Sequence, residues 1–109
     1  MIIFLFFLNV LKLLKLGDNY VKILCLPESI ESLELGLKYN EILELPNSLE
    51  TLKLGINYNQ PLILPTNLKN IILPASSNKI LISSLEEQIK NKFNKRKIEK
   101  INNQIHIKL

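Results

Sequence analysis

Tryptophan is absent from this chain, and cysteine, histidine, methionine and arginine occur once each. A single thiol, Cys25, excludes an internal disulfide and the small disulfide-framed secreted scaffolds built on one. The lone His106 has no neighbouring cysteine, so no metal-ligand spacing exists around it. Only three glycines are present, far apart, which excludes a phosphate-cradling loop, and no nucleophile signature appears. Long apolar runs are missing as well. The longest, "MIIFLFFL", is too short to span a bilayer and lacks the basic start and small-residue cleavage site of a signal peptide. These absences predict a non-enzymatic, cytoplasmic chain with neither metal nor cofactor.

What is present is a repeat. The glycines stand at Gly17, Gly36 and Gly55, each 19 residues after the last. Leu26-Pro27, Leu45-Pro46 and Leu64-Pro65 keep the same interval, as do Tyr20, Tyr39 and Tyr58, and Asn40, Asn59 and Asn78. The apolar columns agree: Leu14, Leu33, Leu52 and Ile71; Leu16, Leu35, Leu54 and Leu73; Leu11, Ile30, Leu49 and Leu68. A looser fourth column holds Ile23, Ile42, Pro61 and Ile80. A fixed period near 20 with this many columns in register predicts a stacked solenoid. Register equivalents of Cys25 are Glu44 and Ile63, which makes Cys25 a tolerant position and not a nucleophile.

Each 19-residue unit has a physical reading. In "LETLKL" (residues 49–54) the closing alternation points Leu52 and Leu54 inward from a short strand. Gly55 then turns the chain, free to take a positive φ, and the asparagines that follow can bond backbone groups in the turn and form a ladder between units. A second apolar pair returns along the far side at Ile42-Leu43, Leu62-Ile63 and Ile80-Leu81, and proline marks the corner. Nineteen residues leave no room for a full helix, so the return limb is expected to be extended or a short 3₁₀ turn. The predicted fold is therefore a β-rich solenoid of four units, 8–26, 27–45, 46–64 and 65–83, preceded by an apolar segment 1–7 that reads as the remnant of an earlier unit.

The stretches "LPESIESLELGLKYNEIL" and "LPNSLETLKLGINYNQPL" resemble the FNIP repeat, named for a Phe-Asn-Ile-Pro core and related to leucine-rich repeats. The core stands here as Tyr39-Asn40-Glu41-Ile42 and Tyr58-Asn59-Gln60-Pro61, with tyrosine in place of phenylalanine, and in weaker form at residues 20–23 and 77–80. The resemblance spans residues 8–83. It implies a leucine-rich-repeat-like array of the type abundant in social amoebae and in giant viruses of amoebae, and a protein partner. Some relatives join the array to an F-box, which implies a ubiquitin-ligase connection, but no F-box is recognisable in this sequence.

Charge is uneven. Residues 1–83 balance seven lysines against seven acids, and residues 84–109 carry the whole net charge of +4. "SSLEEQIKNKFNKRK" opens with a capping box, Ser84 with Glu87, and Leu85, Ile89 and Phe93 recur at helical spacing. This predicts a capping helix from Ser84, acids in its first turn and bases in its last, with "QIHIKL" as a final strand. The basic run from Lys90 to Lys100 raises nucleic acid or an anionic membrane as partners. With one arginine and no interleaved aromatics, a solvated helix face explains it better.

The remaining candidate site is the outward side of the strands. Its columns are Lys12, Glu31, Glu50 and Lys69; Leu13, Ser32, Thr51 and Asn70; and Lys15, Glu34, Lys53 and Ile72. Stacked about 4.8 Å apart, Lys15, Glu34 and Lys53 alternate in sign, which stabilises the sheet by itself. The same face is where a concave solenoid binds a protein. Three functions follow as expectations: a protein-interaction module with an unknown partner; a truncated array fragment with no activity of its own; and a basic-tail binder of nucleic acid or anionic membrane.

Overall fold

The computed structural model describes residues 2–4, 10–93 and 97–109, the first three by their backbone alone. In chain order the elements are β1 (Ile2–Phe4), β2 (Leu13–Lys15), β3 (Ile23–Cys25), β4 (Ser32–Glu34), β5 (Thr51–Lys53), β6 (Asn70–Pro74), α1 (Lys79–Lys92), β7 (Lys97–Ile101) and β8 (Gln104–Lys108). The expectations for residues 1 and 5–9, and for Lys95 and Arg96 in the basic run, fall outside the described residues.

The alternation that closes each leucine segment folds as a short strand lying parallel to the strand 19 residues later. Leu13 pairs with Ser32, Leu33 with Leu52, and Lys53 with Ile72. Leu33, Leu52 and Ile71 are fully buried along this ladder, and Leu35, Leu54 and Leu73 nearly so. Each such side chain contributes about 1.5–3 kcal/mol by leaving water. At the strand entrance the Lys12 carbonyl accepts amides from both Glu31 and Ser32, and the Glu31 and Glu50 carbonyls do the same one and two steps on. This bend keeps Ile30, Leu49 and Leu68 inside while Lys12, Glu31 and Lys69 stay exposed and Glu50 half-exposed.

The main sheet runs β2-β4-β5-β6-β8-β7, and it does not close on itself. Its last two strands form an antiparallel hairpin beside β6, with Ile71 opposite Ile107 and Leu73 opposite Ile105. Asn102 and Asn103, at φ 50° and 62°, make its two-residue turn. Asparagine tolerates that left-handed region, and two such residues match the twist of a hairpin. With α1 packed on the apolar side through Leu81, Leu85 and Ile89, the described residues form a mostly sheet domain with one helix.

On the far side the chain returns extended. β3 pairs in parallel with β1 at an offset of 21 residues, not 19, giving a second, two-stranded sheet. In the corresponding limbs Leu43 and Leu62 are buried, but the limbs form no ladder. A stack of tyrosines explains why. The rings of Tyr20, Tyr39 and Tyr58 lie 6.0 and 6.3 Å apart, wider than the ~4.8 Å at which strands hydrogen-bond, so they hold these limbs apart.

Several expectations are corrected. No glycine has a positive φ, so Gly36 and Gly55 do not serve the turn; a Cβ on Gly36 would overlap the Gly17 carbonyl oxygen and sit 2.6 Å from its carbon. Their role is close backbone packing. The helix begins at Lys79, not Ser84, because the Asn78 side chain accepts the Ile80 and Leu81 amides at 2.9 and 3.2 Å. Ile80-Leu81 is therefore its first turn, not a return limb, and that turn holds no acid. Phe93 is the extended C-cap, and Lys97 stands on β7, not on a helix face. The looser column of Ile23, Ile42, Pro61 and Ile80 lies at the surface, and the buried far-side column is Leu24, Leu43, Leu62 and Leu81.

Candidate functional site

The strands carry the candidate face, and their pleat decides what stands on it. Because 33, 52 and 71 point inward, Ser32, Thr51 and Asn70 project on the other side together with Glu34, Lys53 and Ile72. In-register parallel pairing brings like positions side by side. Glu34 consequently bridges Lys15 at 3.2 Å and Lys53 at 3.4 Å, and Glu50 meets Lys69 at 3.3 Å. Burial pushes the Glu34 carboxyl upward, but the hydrogen bonds and charges of Lys15 and Lys53 outweigh it and hold its pKa below the ordinary value.

The magnitudes separate packing from charge. Leu54→Ala should destabilise by about 2–5 kcal/mol, since a buried leucine leaves a cavity. Glu34→Ala should cost under ~1 kcal/mol, because both of its partners are partly solvated. Urea denaturation of the two variants checks this, and comparable midpoints would contradict the assigned facing.

The Ser32, Thr51 and Asn70 side chains make no hydrogen bond among the described residues. The hairpin lengthens the face beyond β6: Ile72 is flanked by His106 and then Glu99, and Asn70 by Lys108 and then Lys97. Lys97 and Glu99 form an ion pair at 2.8 Å that holds the Glu99 pKa down. Leu13 is exposed at the opposite edge, next to Lys12 and Lys15.

Four further columns are structural. Asn40 Oδ1 accepts the Asn59 amide at 2.9 Å, and Asp18 Oδ1 accepts that of Leu37 at 3.2 Å. Asn78 serves the helix instead. Ser29 and Ser48 donate to the Leu11 and Ile30 carbonyls at 2.8 and 2.6 Å, and Asn67 donates to that of Asn47 at 3.0 Å. This corner column escaped the sequence reading, although its 19-residue spacing is visible there. Gly17 is exposed, whereas Gly36 is buried against it.

Comparison with known families decides the grouping. The FNIP Repeat model matches residues 21–57 and 39–76, overlapping spans that cover a little over half the chain. The chain belongs to the FNIP repeat family. No curated protein and no solved structure matches it.

The FNIP core now has a physical meaning in this chain. Its first position builds the ring stack, and its second supplies the Asn40 rung of the turn ladder. Tyrosine at the first position brings a hydroxyl into the core: the Tyr20, Tyr39 and Tyr58 hydroxyls are buried with no hydrogen-bond partner. Burial first, then the neighbouring tyrosine, pushes Tyr39 up to about 12 and raises Tyr58 further.

A pH dependence follows. Below pH ~10 both folded and unfolded tyrosines are protonated, and these groups leave stability unchanged. Above it the unfolded chain loses protons that the folded chain keeps, so stability falls as pH rises from the unfolded pKa through about 12. Thermal unfolding of Tyr39→Phe/Tyr58→Phe should match the parent within about 1 kcal/mol at pH 7 and fall less steeply between pH 10 and 12. Identical alkaline slopes would contradict the burial of these hydroxyls.

Among the described residues no group of His, Cys, Asp and Glu could hold a metal ion, and no helix is long and apolar enough to cross a membrane. Cys25 is half-buried on β3 beside Ile23 and Glu28.

Proposed function

We propose that this chain is a non-enzymatic protein-interaction module, an open leucine-rich-repeat-like solenoid that receives a protein partner on its strand face. The Ser32, Thr51 and Asn70 column carries this reading. These side chains stand half-exposed on successive parallel strands with no internal hydrogen bond, while Glu34 and Glu50 beside them are held in ion pairs. Uncommitted hydroxyl and amide groups on rigid strands meet a partner with little ordering cost. The wide tyrosine stack opposite the close-packed strands favours curvature with the strand face inside, the geometry that repeat proteins use for binding.

The basic tail has less in its favour as a nucleic-acid or membrane binder. Lys92 donates to the Leu64 carbonyl at 3.3 Å and Lys97 pairs with Glu99, so two of its cations are already engaged. Affinity capture from an amoebal lysate, the setting the family resemblance implies, should be run with the intact chain and with Ser32→Arg/Thr51→Arg. The variant should unfold like the parent and lose a specific protein that the parent retains. Equal recovery by both moves the site off this face. Recovery of nothing by either favours an array fragment with no activity of its own.

A further inference from the structure

Among the described strands the main sheet has two open edges, β2 and β7, and they differ in chemistry. β7 sets Lys100 beside Ile105 on the apolar side of the sheet, and a charge pointing inward blunts an edge. β2 has no such charge, because its inward residue is Leu14. Leu11, Leu14 and Tyr20 are only half-buried at this end, whereas Ile30, Leu33 and Tyr39, one unit on, are fully buried.

Three features of this end repeat what each later unit offers to the one before it. The Lys12 carbonyl and the Leu16 amide bond the β4 segment, and backbone groups alternate in direction along a strand. The N–H and C=O of Leu13 and Lys15 therefore face away from β4. The second feature is space. A Cβ on Gly17 would meet no described atom within 4 Å, while the same position on Gly36 is filled by the Gly17 carbonyl and that on Gly55 by the Gly36 carbonyl. The third is charge. Residues 10–17 hold Lys12 and Lys15 and no acid, and the strand segment that β2 already accepts carries Glu31 and Glu34 in those columns, with Lys15 and Glu34 3.2 Å apart.

A second copy of this chain fits poorly. β2 against β2 would align Lys12 and Lys15 of both chains with no acid among them, and stacking head to tail is closed because β8 already covers β6. We propose that the β2 edge takes, in parallel, the leucine strand of a repeat unit carried by another protein, with acids opposite Lys12 and Lys15 and a glycine whose carbonyl rests on Gly17. Lys15 then stands between two glutamates, as Glu34 stands between Lys15 and Lys53. Main-chain hydrogen bonds supply the affinity of an added strand, and the two lysines select an acidic one. This contact uses the edge of the sheet, not the strand face, and stands whether or not that face binds a protein.

The probe is a peptide copying residues 26–43, LPESIESLELGLKYNEIL, titrated into the full chain by calorimetry with amide hydrogen exchange followed by NMR. One peptide should bind per chain and slow exchange at Leu13 and Lys15. A peptide with Glu31→Lys/Glu34→Lys should bind the parent at least about tenfold more weakly, and Lys12→Gln/Lys15→Gln in the chain should bring the two peptides to within about twofold. Gly17→Ala, whose Cβ would meet the incoming carbonyl, should keep the circular dichroism of the parent and bind the first peptide about tenfold more weakly. Should a chain variant fail to fold, the charge-reversed peptide decides on the parent alone. The proposal is overturned by any of four results: no saturable binding, equal affinity for the two peptides, slowed exchange confined to residues outside the β2 edge, or undiminished binding by folded Gly17→Ala. Leu13 and Lys15 amides already protected in the free monomer also overturn it, in favour of the chain's own N-terminal residues. Sedimentation of the free chain as a dimer that protects those amides overturns it in favour of a second copy.

Discussion

Gly36→Ala and Gly55→Ala are each expected to remove at least ~3 kcal/mol of stability, a large share of the roughly 5–15 kcal/mol that holds a domain together. A Cβ on Gly36 would overlap the Gly17 carbonyl and lie 2.9 Å from the Asp18 Cα; on Gly55 it would overlap the Gly36 carbonyl and lie 3.0 Å from its carbon. All the obstructing atoms are backbone, so no rotamer change relieves them. The chain would have to part beside the strands, where the Leu35 amide bonds the Lys53 carbonyl and the Leu54 amide bonds that of Ile72, both at 2.8 Å. Gly17→Ala is the control: its Cβ would meet no described atom within 4 Å, and its stability should change by less than ~1 kcal/mol. Thermal melts of the three variants separate close packing from turn geometry. If the glycines served only the turn, all three would respond alike.

Much of the strand layer was legible because it depends on local alternation repeated at one interval. Leu33 with Leu35 and Leu52 with Leu54 declare an inward face, and parallel pairing at a 19-residue offset then sets Glu34 between Lys15 and Lys53. What the glycines do was not legible, since a need for φ > 0 and a need for close approach both select glycine. The helix start was hidden by competition between two valid caps. Ser84 with Glu87 fits the capping pattern, but Asn78 lets Leu81 join Leu85 and Ile89 on the buried stripe, and tertiary packing favours the longer helix. β7 left little trace, because Ile98 and Ile101 remain half-exposed and the flanking lysines suggested a solvated helix. Its turn signal, Asn102-Asn103, was present but lacks the usual glycine. Of the candidate face, the columns through Lys53 followed from the repeat, whereas His106 and Glu99 joined it only through the hairpin.

Removing residues 79–109 is expected to convert the chain into an aggregating species without a cooperative transition. α1 and the hairpin together cover Leu62, Leu64, Ile71 and Leu73, none more than 3% exposed. At about 1.5–3 kcal/mol for each side chain returned to water, the loss rivals the whole stability of a domain this size. The helix also ends the far side in a specific way. Gln88 Nε2 donates to the Leu62 carbonyl at 2.6 Å while its Oε1 accepts the Leu64 amide at 2.8 Å. One side-chain amide thus takes the donor and acceptor that a neighbouring extended limb would otherwise occupy, as β1 does for β3. Gln88→Ala should therefore cost about 1–3 kcal/mol by leaving both half-buried backbone groups unpaired. Lys90→Gln/Lys100→Gln, by contrast, should stay within about 0.5 kcal/mol, since both side chains are exposed. Light scattering and urea melts distinguish the cases. A soluble, cooperatively folded chain ending at Asn78 would show that the strands need no cover, and a Gln88→Ala melt equal to the parent's would remove the amide's capping role.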